Sequence, residues 1–593
     1  MKKLMTGNEA IARGFYEAGG NVAAAYPGTP STEILENISE YKEIYSEWAP
    51  NEKVAVEVAI GASIAGARSL SAMKHVGVNV AADPFMTYAY EGVNGGFILV
   101  SADDPGMHSS QNEQDNRYYA KFAKIAMVEP SDSQEAKDFV KDALEISENF
   151  DTPVLFRVST RICHSKSLVE LGERQEVEMK PYVKTPDKFI ITPAHAKKLH
   201  VVVEDRLKKL EEFSNNTPLN TIEWADKKIG IITSGISYQY AKEVFGDKAS
   251  YLKLGFTHPL PFAKIEAFAK EVETLYVIEE LEPYIEEQIK ARGIACIGKD
   301  KITNMGELNP DVVASALVAE EAKEEVASSL EALQQGVISR PPTLCAGCPH
   351  RGLFYSLSKK KNIMITGDIG CYTLGSAEPL NAMDTCICMG ASVSAGHGAQ
   401  KVFNMRGENK KVVAVLGDST FFHTGLSSLI DVVYNKGNSV TIVLDNRITG
   451  MTGHQENPGT GYTLMGEKTE AIDIEKLCRA VGVKNVKVVN PLNLKETDEA
   501  VNEALKADEP SVIITKWPCV LKKLSVEDKQ QFDCSVKSYE VNEDKCKKCK
   551  MCTKTGCPAI SMKEYSSIDK TMCVGCSLCA QVCPFEAIER VGE

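Results

Sequence analysis

The chain has 593 residues, 43% hydrophobic and 25% charged, which suits roughly four globular domains and excludes wholesale disorder. Sixty-seven Lys and Arg against 81 Asp and Glu leave a formal charge of −14, so no nucleic-acid partner is expected. Apolar runs such as residues 412–416 and 440–444 are strand-sized, and the polar start at residues 1–7 has no apolar signal core behind it. A cytoplasmic chain without a membrane span follows.

Residues 22–26, 77–80 and 97–100 read as buried parallel strands ending in turn residues such as Pro27-Gly28, and define an α/β domain over residues 1–180. Residues 211–228 show no apolar periodicity and are expected to loop or link. Strand-like runs at 229–233, 251–254 and 275–278 form a smaller α/β domain over residues 181–335. Ser339-Arg340-Pro341-Pro342 reads as a boundary. A third α/β domain, residues 336–535, has strands at 363–366, 412–416, 440–444 and 512–515, and the tail 536–593 is rich in Cys and Lys with little room for a core.

Eight of the 18 cysteines fall between Cys546 and Cys583, which reads as metal ligation in a reducing compartment. Cys573-x2-Cys576-x2-Cys579-x3-Cys583-Pro584 matches the bacterial ferredoxin run, and Cys546-x2-Cys549-x2-Cys552-x4-Cys557-Pro558 is a copy one residue longer. In such runs the fourth cysteine serves the other cluster. That assigns Cys546, Cys549, Cys552 and Cys583 to one [4Fe–4S] cluster, and Cys573, Cys576, Cys579 and Cys557 to a second. Zinc also suits CxxC pairs, but two interleaved runs favour clusters and hence redox work.

Asp418 and Asn446 stand 28 positions apart, each at the end of a predicted strand. That places both at the carboxyl edge of a parallel sheet, where open α/β folds bind ligands. A hard cation such as Mg2+ takes oxygen ligands, and Asp418, Asn446 and the carbonyl of Ile448 offer them. Gly417 would let a diphosphate approach the backbone. An ordinary strand-end turn uses the same residue types.

The Gly417-Asp418…Asn446 spacing resembles the thiamine diphosphate motif GDG…NN, with Ser419 and Asp445 as departures at positions that donate no metal-binding side chain. Asn51-Glu52, followed by Ala59, Gly61 and Ala65-Gly66, resembles the segment carrying the glutamate that hydrogen-bonds the cofactor's aminopyrimidine and promotes loss of the thiazolium C2 proton; Glu57 is the competitor. Tyr26-Pro27-Gly28-Thr29-Pro30-Ser31-Thr32 resembles the opening signature of 2-oxoacid:ferredoxin oxidoreductases, in which the threonine, here Thr29, lies by cofactor and substrate. The resemblance spans nearly the whole chain. It includes the run 231–235 and Glu279-Glu280 in the second domain, the run Cys345 to Gly352, the run Gly367 to Leu374, and the run Ile448 to Gln455.

The resemblance implies doubly wound thiamine-binding domains of pyrimidine and diphosphate type, a transketolase C-terminal-like domain and a ferredoxin-like tail. It also implies a β subunit in a hetero-oligomer, coenzyme A, an external ferredoxin and aryl-pyruvate substrates (indolepyruvate, phenylpyruvate) converted to aryl-acetyl-CoA and CO2. Pyruvate or 2-oxoglutarate as substrate, a non-oxidative decarboxylase, and a non-catalytic electron-transfer subunit are the alternatives.

His350, His397, His423 and His454 lie in or near Gly-rich segments as candidate proton carriers, with His423 favoured for following Asp418 closely. Arg161 is a candidate for the substrate carboxylate or a surface salt bridge. Cys345, Cys348, Cys371 and Cys519 resemble the layout that holds a third cluster near thiamine in pyruvate-using relatives. Cys386 and Cys388 compete as ligands, and simple packing or zinc are the rival readings.

Overall fold

The computed structural model describes residues 1–318, 341–534 and 537–592, and the chain packs as two units, Met1–Ile338 and Ser339–Glu593. Ser339 and Arg340 of the expected boundary lie outside the described residues.

In the first unit β1 (Lys2–Thr6) pairs antiparallel with β8 (Lys166–Glu170). Strands β2 (Val22–Ala25), β3 (Tyr45–Trp48), β4 (Ser69–Lys74), β5 (Phe97–Asp103), β6 (Ala126–Val128) and β7 (Val154–Ser159) run parallel. With β12 (Phe256–His258) antiparallel on β6, they make a seven-stranded sheet in the order β12-β6-β7-β5-β4-β2-β3. Every residue of β5 is buried, as expected of a strand covered on both faces. Strands β9 (Asn220–Glu223), β10 (Ile229–Ser234), β11 (Ser250–Leu254) and β13 (Thr274–Ile278) form a second sheet in the order β13-β10-β11-β9. One apolar core serves both sheets, with Phe97, Leu99 and Leu155 in the same cluster as Ile232, Leu252 and Tyr284.

Two helices position the chemistry of this unit: α1 (Glu52–Ile64), capped by the Asn51 side chain accepting from the Val54 N–H at 2.9 Å, and α2 (His75–Glu91). Residues 77–80, expected as a strand, lie in α2. Val76, Val78 and Val80 imitate a two-residue alternation, yet the helix buries Val78, Ala81 and Phe85 at helical spacing; the strand is β4, immediately upstream. The expected linker 211–228 is also corrected. Helix α3 (Pro193–Asn216) extends into it and β9 follows. The buried stripe of α3 is Val203, Arg206, Leu210 and Ser214, and its two polar members hide the period.

In the second unit β14 (Ile363–Gly367), β15 (Thr385–Cys386), β16 (Lys411–Gly417), β17 (Val440–Asp445), β18 (Asn485–Val489) and β19 (Ser511–Lys516) form an all-parallel sheet in the order β15-β14-β16-β17-β19-β18. Alternate residues feed two cores, Val413, Val415, Ile442 and Leu444 on one face and Ala414, Leu416 and Val443 on the other. The chain leaves β14 for β15 on one side and returns as β16 on the other, so the crevice at their carboxyl ends is a topological switch point. The tail adds two antiparallel pairs, β20 (Tyr539–Val541) with β23 (Ile588–Arg590) and β21 (Ile560–Met562) with β22 (Ser566–Ile568). Among the described residues no helix is long and apolar enough to cross a membrane.

Candidate active site and cluster cavities

The tail forms two small cavities of about 20 Å³ each. Cys546, Cys549, Cys552 and Cys583 line one, with Met562 and Phe585; Cys557, Cys573, Cys576 and Cys579 line the other, with Ile560 and Ile568. Each cavity therefore takes three thiols from one run and the fourth from the other. Left-handed backbone turns the chain around them at corresponding positions 27 residues apart, Lys548 (φ 58°) with Gly575 (φ 77°) and Lys550 (φ 62°) with Ser577 (φ 63°). The Tyr539 N–H donates to Cys573 Sγ at 3.4 Å and the Ala587 N–H to Cys583 Sγ at 3.3 Å. Burial and the neighbouring Cys576, Cys557 and Cys573 push the Cys579 thiol well up. Four thiols in a small, apolar-walled space fit the ligation of an iron–sulfur cube, whose iron compensates thiolate charge.

At the carboxyl edge of the second unit's sheet, Asp418 follows β16 and Asn446 follows the adjacent β17. Asp418 is buried and accepts from Asn457 Nδ2 at 3.0 Å. Burial and then Asp445 raise its carboxyl above the usual range, because two like charges share a water-poor corner. Asn446 Oδ1 accepts from the Ile448 N–H at 3.3 Å, and its Nδ2 lies 3.4 Å from His350 Nε2. A buried carboxylate, an amide oxygen and a nearby carbonyl are the donor set of a divalent-cation site. At Gly417 a Cβ would stand 2.8 Å from the Tyr372 ring. Packing against Tyr372 is one reason for a glycine there.

Sequence reasoning missed Asn457 and the role of Asp368. Asp368 follows β14, is fully buried, and accepts from the backbone N–H groups of Ile369, Gly390 and Ser392 at 2.9–3.1 Å. It pins the start of α4 (Ala391–Met405) to the sheet edge. Its signal was the strand-end Gly-Asp at 367–368, the same signal that marks Asp418.

In the first unit Glu52 is 7% exposed at the start of α1, whereas Glu57 lies at the surface paired with Lys53. A Cβ on Gly77 would stand 2.8 Å from Glu52 Cγ, so the start of α2 holds a glycine where the glutamate packs. Thr29 precedes a cis proline, and its carbonyl accepts from Ser109 Oγ at 3.4 Å. Arg161 lies bidentate on Glu307 at 2.7–2.8 Å, which leaves it a salt bridge at the surface.

Residues 13–203 match the family model for the pyruvate flavodoxin/ferredoxin oxidoreductase thiamine diphosphate-binding domain. Residues 368–515 match the thiamine pyrophosphate enzyme C-terminal TPP-binding domain, and 567–589 a 4Fe-4S binding domain. The indolepyruvate oxidoreductase subunit IorA of Archaeoglobus fulgidus is 42% identical over 99% of this chain and 97% of its own length. That of Pyrococcus horikoshii is 42% identical over 100% and 97%, and that of Methanothermobacter thermautotrophicus 38% over 100% and 98%. The chain belongs to the IorA family.

Among solved structures, a 2-oxoglutarate:ferredoxin oxidoreductase from Magnetococcus marinus aligns over 55% of this chain and 65% of its own at a TM-score of 0.45 and 18% identity. As an IorA-family chain the protein is an oxidoreductase that uses thiamine diphosphate and [4Fe–4S] clusters.

Four further cysteines of this IorA-family chain gather beside the diphosphate edge. Burial, then neighbours including Cys345 and Cys519, push the Cys348 thiol up to about 12. Cys371 rises to about 11 through burial, Cys519 and Cys345. The Cys519 N–H donates to the Asn446 carbonyl at 3.0 Å. Cys386 and Cys388 are instead raised by burial and by Asp368. Of the histidines, His350 is buried and pushed down to about 4 by burial, so it stays neutral. His423 sits in the wide turn Phe421–Gly425, its Nδ1 3.2 Å from Thr424 Oγ1. His454 Nε2 lies 3.8 Å from Cys519 Sγ. His397 packs where a Cβ on Gly437, before β17, would stand 2.6 Å from its Nδ1, at the edge of the sheet opposite to the one Asp418 follows.

Proposed function

We propose that this chain is the catalytic subunit of an indolepyruvate:ferredoxin oxidoreductase, working in the cytoplasm with a β subunit. It converts an aryl pyruvate and coenzyme A to aryl-acetyl-CoA and CO2. In the net reaction the C1–C2 bond breaks, a C–S bond forms to the CoA sulfur, one proton is released, and two electrons pass one at a time to an external ferredoxin. Near-full-length identity to subunits named indolepyruvate oxidoreductase carries this reading, and the two four-cysteine cavities supply its electron outlet.

Thiamine diphosphate supplies the carbon nucleophile and electron sink that decarboxylation needs. Glu52 holds a proton toward the aminopyrimidine, and Thr29 lies beside substrate. Asp418, Asn446 and the Ile448 carbonyl would hold Mg2+, which would offset the diphosphate charge, and Gly417 would let the diphosphate approach the backbone. His423 is the proton carrier nearest Asp418 in the chain. Cys546, Cys549, Cys552 and Cys583 hold one tail cluster, and Cys573, Cys576, Cys579 and Cys557 the other. Cys345, Cys348, Cys371 and Cys519 hold a third, supported by their mutual influence on thiol acidity. The functional segments are residues 1–180, 181–335, 336–535 and 536–593. The test is CoA-dependent reduction of a viologen by indolepyruvate, with the second subunit co-expressed. Dye reduction that is absent, or indifferent to CoA, would overturn the reading.

A further inference from the structure

The carboxyl edge of the first unit's sheet carries four basic side chains on or just beyond its strands, and three are already paired. Arg157 donates to Asp103 Oδ2 at 3.0 Å and Glu129 Oε1 at 2.9 Å. Arg117 donates to Asp115 and Glu279, each at 2.6 Å. Arg161 is bidentate on Glu307. Lys74, the last residue of β4, differs. Its ammonium donates to the Ser109 carbonyl and, at 3.3 Å, to the Ser109 hydroxyl, both neutral oxygens. Burial lowers the Lys74 ammonium to about 8 and the neighbouring Asp104 offsets this only partly; that carboxylate is itself occupied, accepting from the Ser109 N–H at 2.9 Å, Thr160 Oγ1 at 2.7 Å, and the Ser110 hydroxyl. Among the described residues Lys74 forms no ion pair.

Its position is the second observation. A Cβ on Gly28 would stand 3.3 Å from Lys74 Cβ, and Ser109 Oγ, which Lys74 contacts, also donates to the Thr29 carbonyl. Lys74 is directly followed by α2, whose Gly77 packs on Glu52. Through Ser109 the half-buried ammonium is tied to the Thr29 carbonyl, and its backbone leads into the 17-residue helix α2, which packs on Glu52 and whose N-terminus favours an anion.

We propose that Lys74 anchors the carboxylate of the 2-oxoacid substrate, an assignment that rests on the 2-oxoacid reading above. A lysine offers a compact charge without the bidentate fork of arginine, which suits a carboxylate that must leave as CO2. Anchoring that were much stronger in the bound substrate than in the transition state would slow the loss of CO2.

The test uses the complete enzyme with its second subunit, comparing wild type with Lys74→Met and Lys74→Arg on phenylpyruvate. Lys74→Met should raise KM at least 30-fold with kcat changed less than threefold, and Lys74→Arg should recover most of the loss. Phenylpyruvate methyl ester, which lacks the charge, should inhibit wild type and Lys74→Met equally. Should Lys74→Met fold poorly, Lys74→Gln, which keeps a donor toward Ser109, carries the same measurements. An unchanged KM, or a fall in kcat alone, overturns the anchor while leaving the 2-oxoacid reading intact. A wild type inactive on every 2-oxoacid overturns both.

Discussion

Asp418 and Asp445 sit near one another in a corner that water scarcely reaches, and the donors that reach Asp418, the Asn457 side chain and the Ser419 backbone, are neutral. Such a carboxylate is costly unless a cation joins it. Asp418→Ala should therefore leave the fold intact while lowering Mg2+-dependent affinity for thiamine diphosphate by about 100-fold, or about 3 kcal/mol, read by tryptophan-quenching titration. Unchanged affinity would remove Asp418 from the metal site. Glu52→Gln should keep the cofactor bound but stop hydrogen–deuterium exchange at its C2 atom, whereas Glu57→Gln, at the surface on Lys53, should exchange like wild type. Asp418 and Asn446 were legible because strand-end position and spacing mark them within the sequence. Asn457 and Lys74 were not, since only the folding back of the 449–457 and 104–116 loops gives them partners.

At the scale of elements, buried parallel strands were the most readable feature, since β5, β16, β17 and β19 are nearly continuous apolar runs buried on both faces. Helix α2 was misread because alternating valines satisfy either period until packing on Glu52 decides. The cysteine-bearing loops lie between these extremes. Spacing alone indicated which thiols share a cavity in the tail, but Cys345 with Cys348, Cys371 and Cys519 come from three separate segments of the chain and depend on the sheet's topology. If these four hold a cluster, iron per chain should be about twelve, and Cys348→Ser should lower it to about eight. That variant should also slow viologen reduction while tail-cluster signals in electron paramagnetic resonance persist. About eight irons in the wild type would refute the third cluster.

At the scale of the whole molecule, the first unit joins its two sheets through buried charge as well as apolar packing. Arg117 follows the loop after β5, yet it reaches Glu279 at the end of β13 and the carbonyls of Glu280 and Glu282 at 2.9–3.0 Å. With Arg157 it faces five buried acids, Asp103, Asp115, Glu129, Glu279 and Glu280. The excess of acid shows in their protonation. Burial, offset by Arg117, leaves Asp115 below the usual carboxylate range, while burial pushes Glu280 up to about 7. The two groups act on stability in opposite directions. Asp115 contributes above its unfolded pKa and loses that contribution as pH falls through its lowered folded value. Glu280 favours the fold in acid, and that contribution is lost as pH rises to about 7. Arg117→Met removes the cation that draws the Asp115 and Glu279 carboxyls down and leaves both buried without it. At pH 8 the variant should lose about 3–5 kcal/mol, and part of that loss should return at pH 6 as the orphaned carboxylates take up protons. Urea unfolding of the complete enzyme followed by circular dichroism at both pH values tests this. A deficit equal at pH 8 and pH 6 would mean that Arg117 serves by shape alone and that the buried acids do not bear its loss.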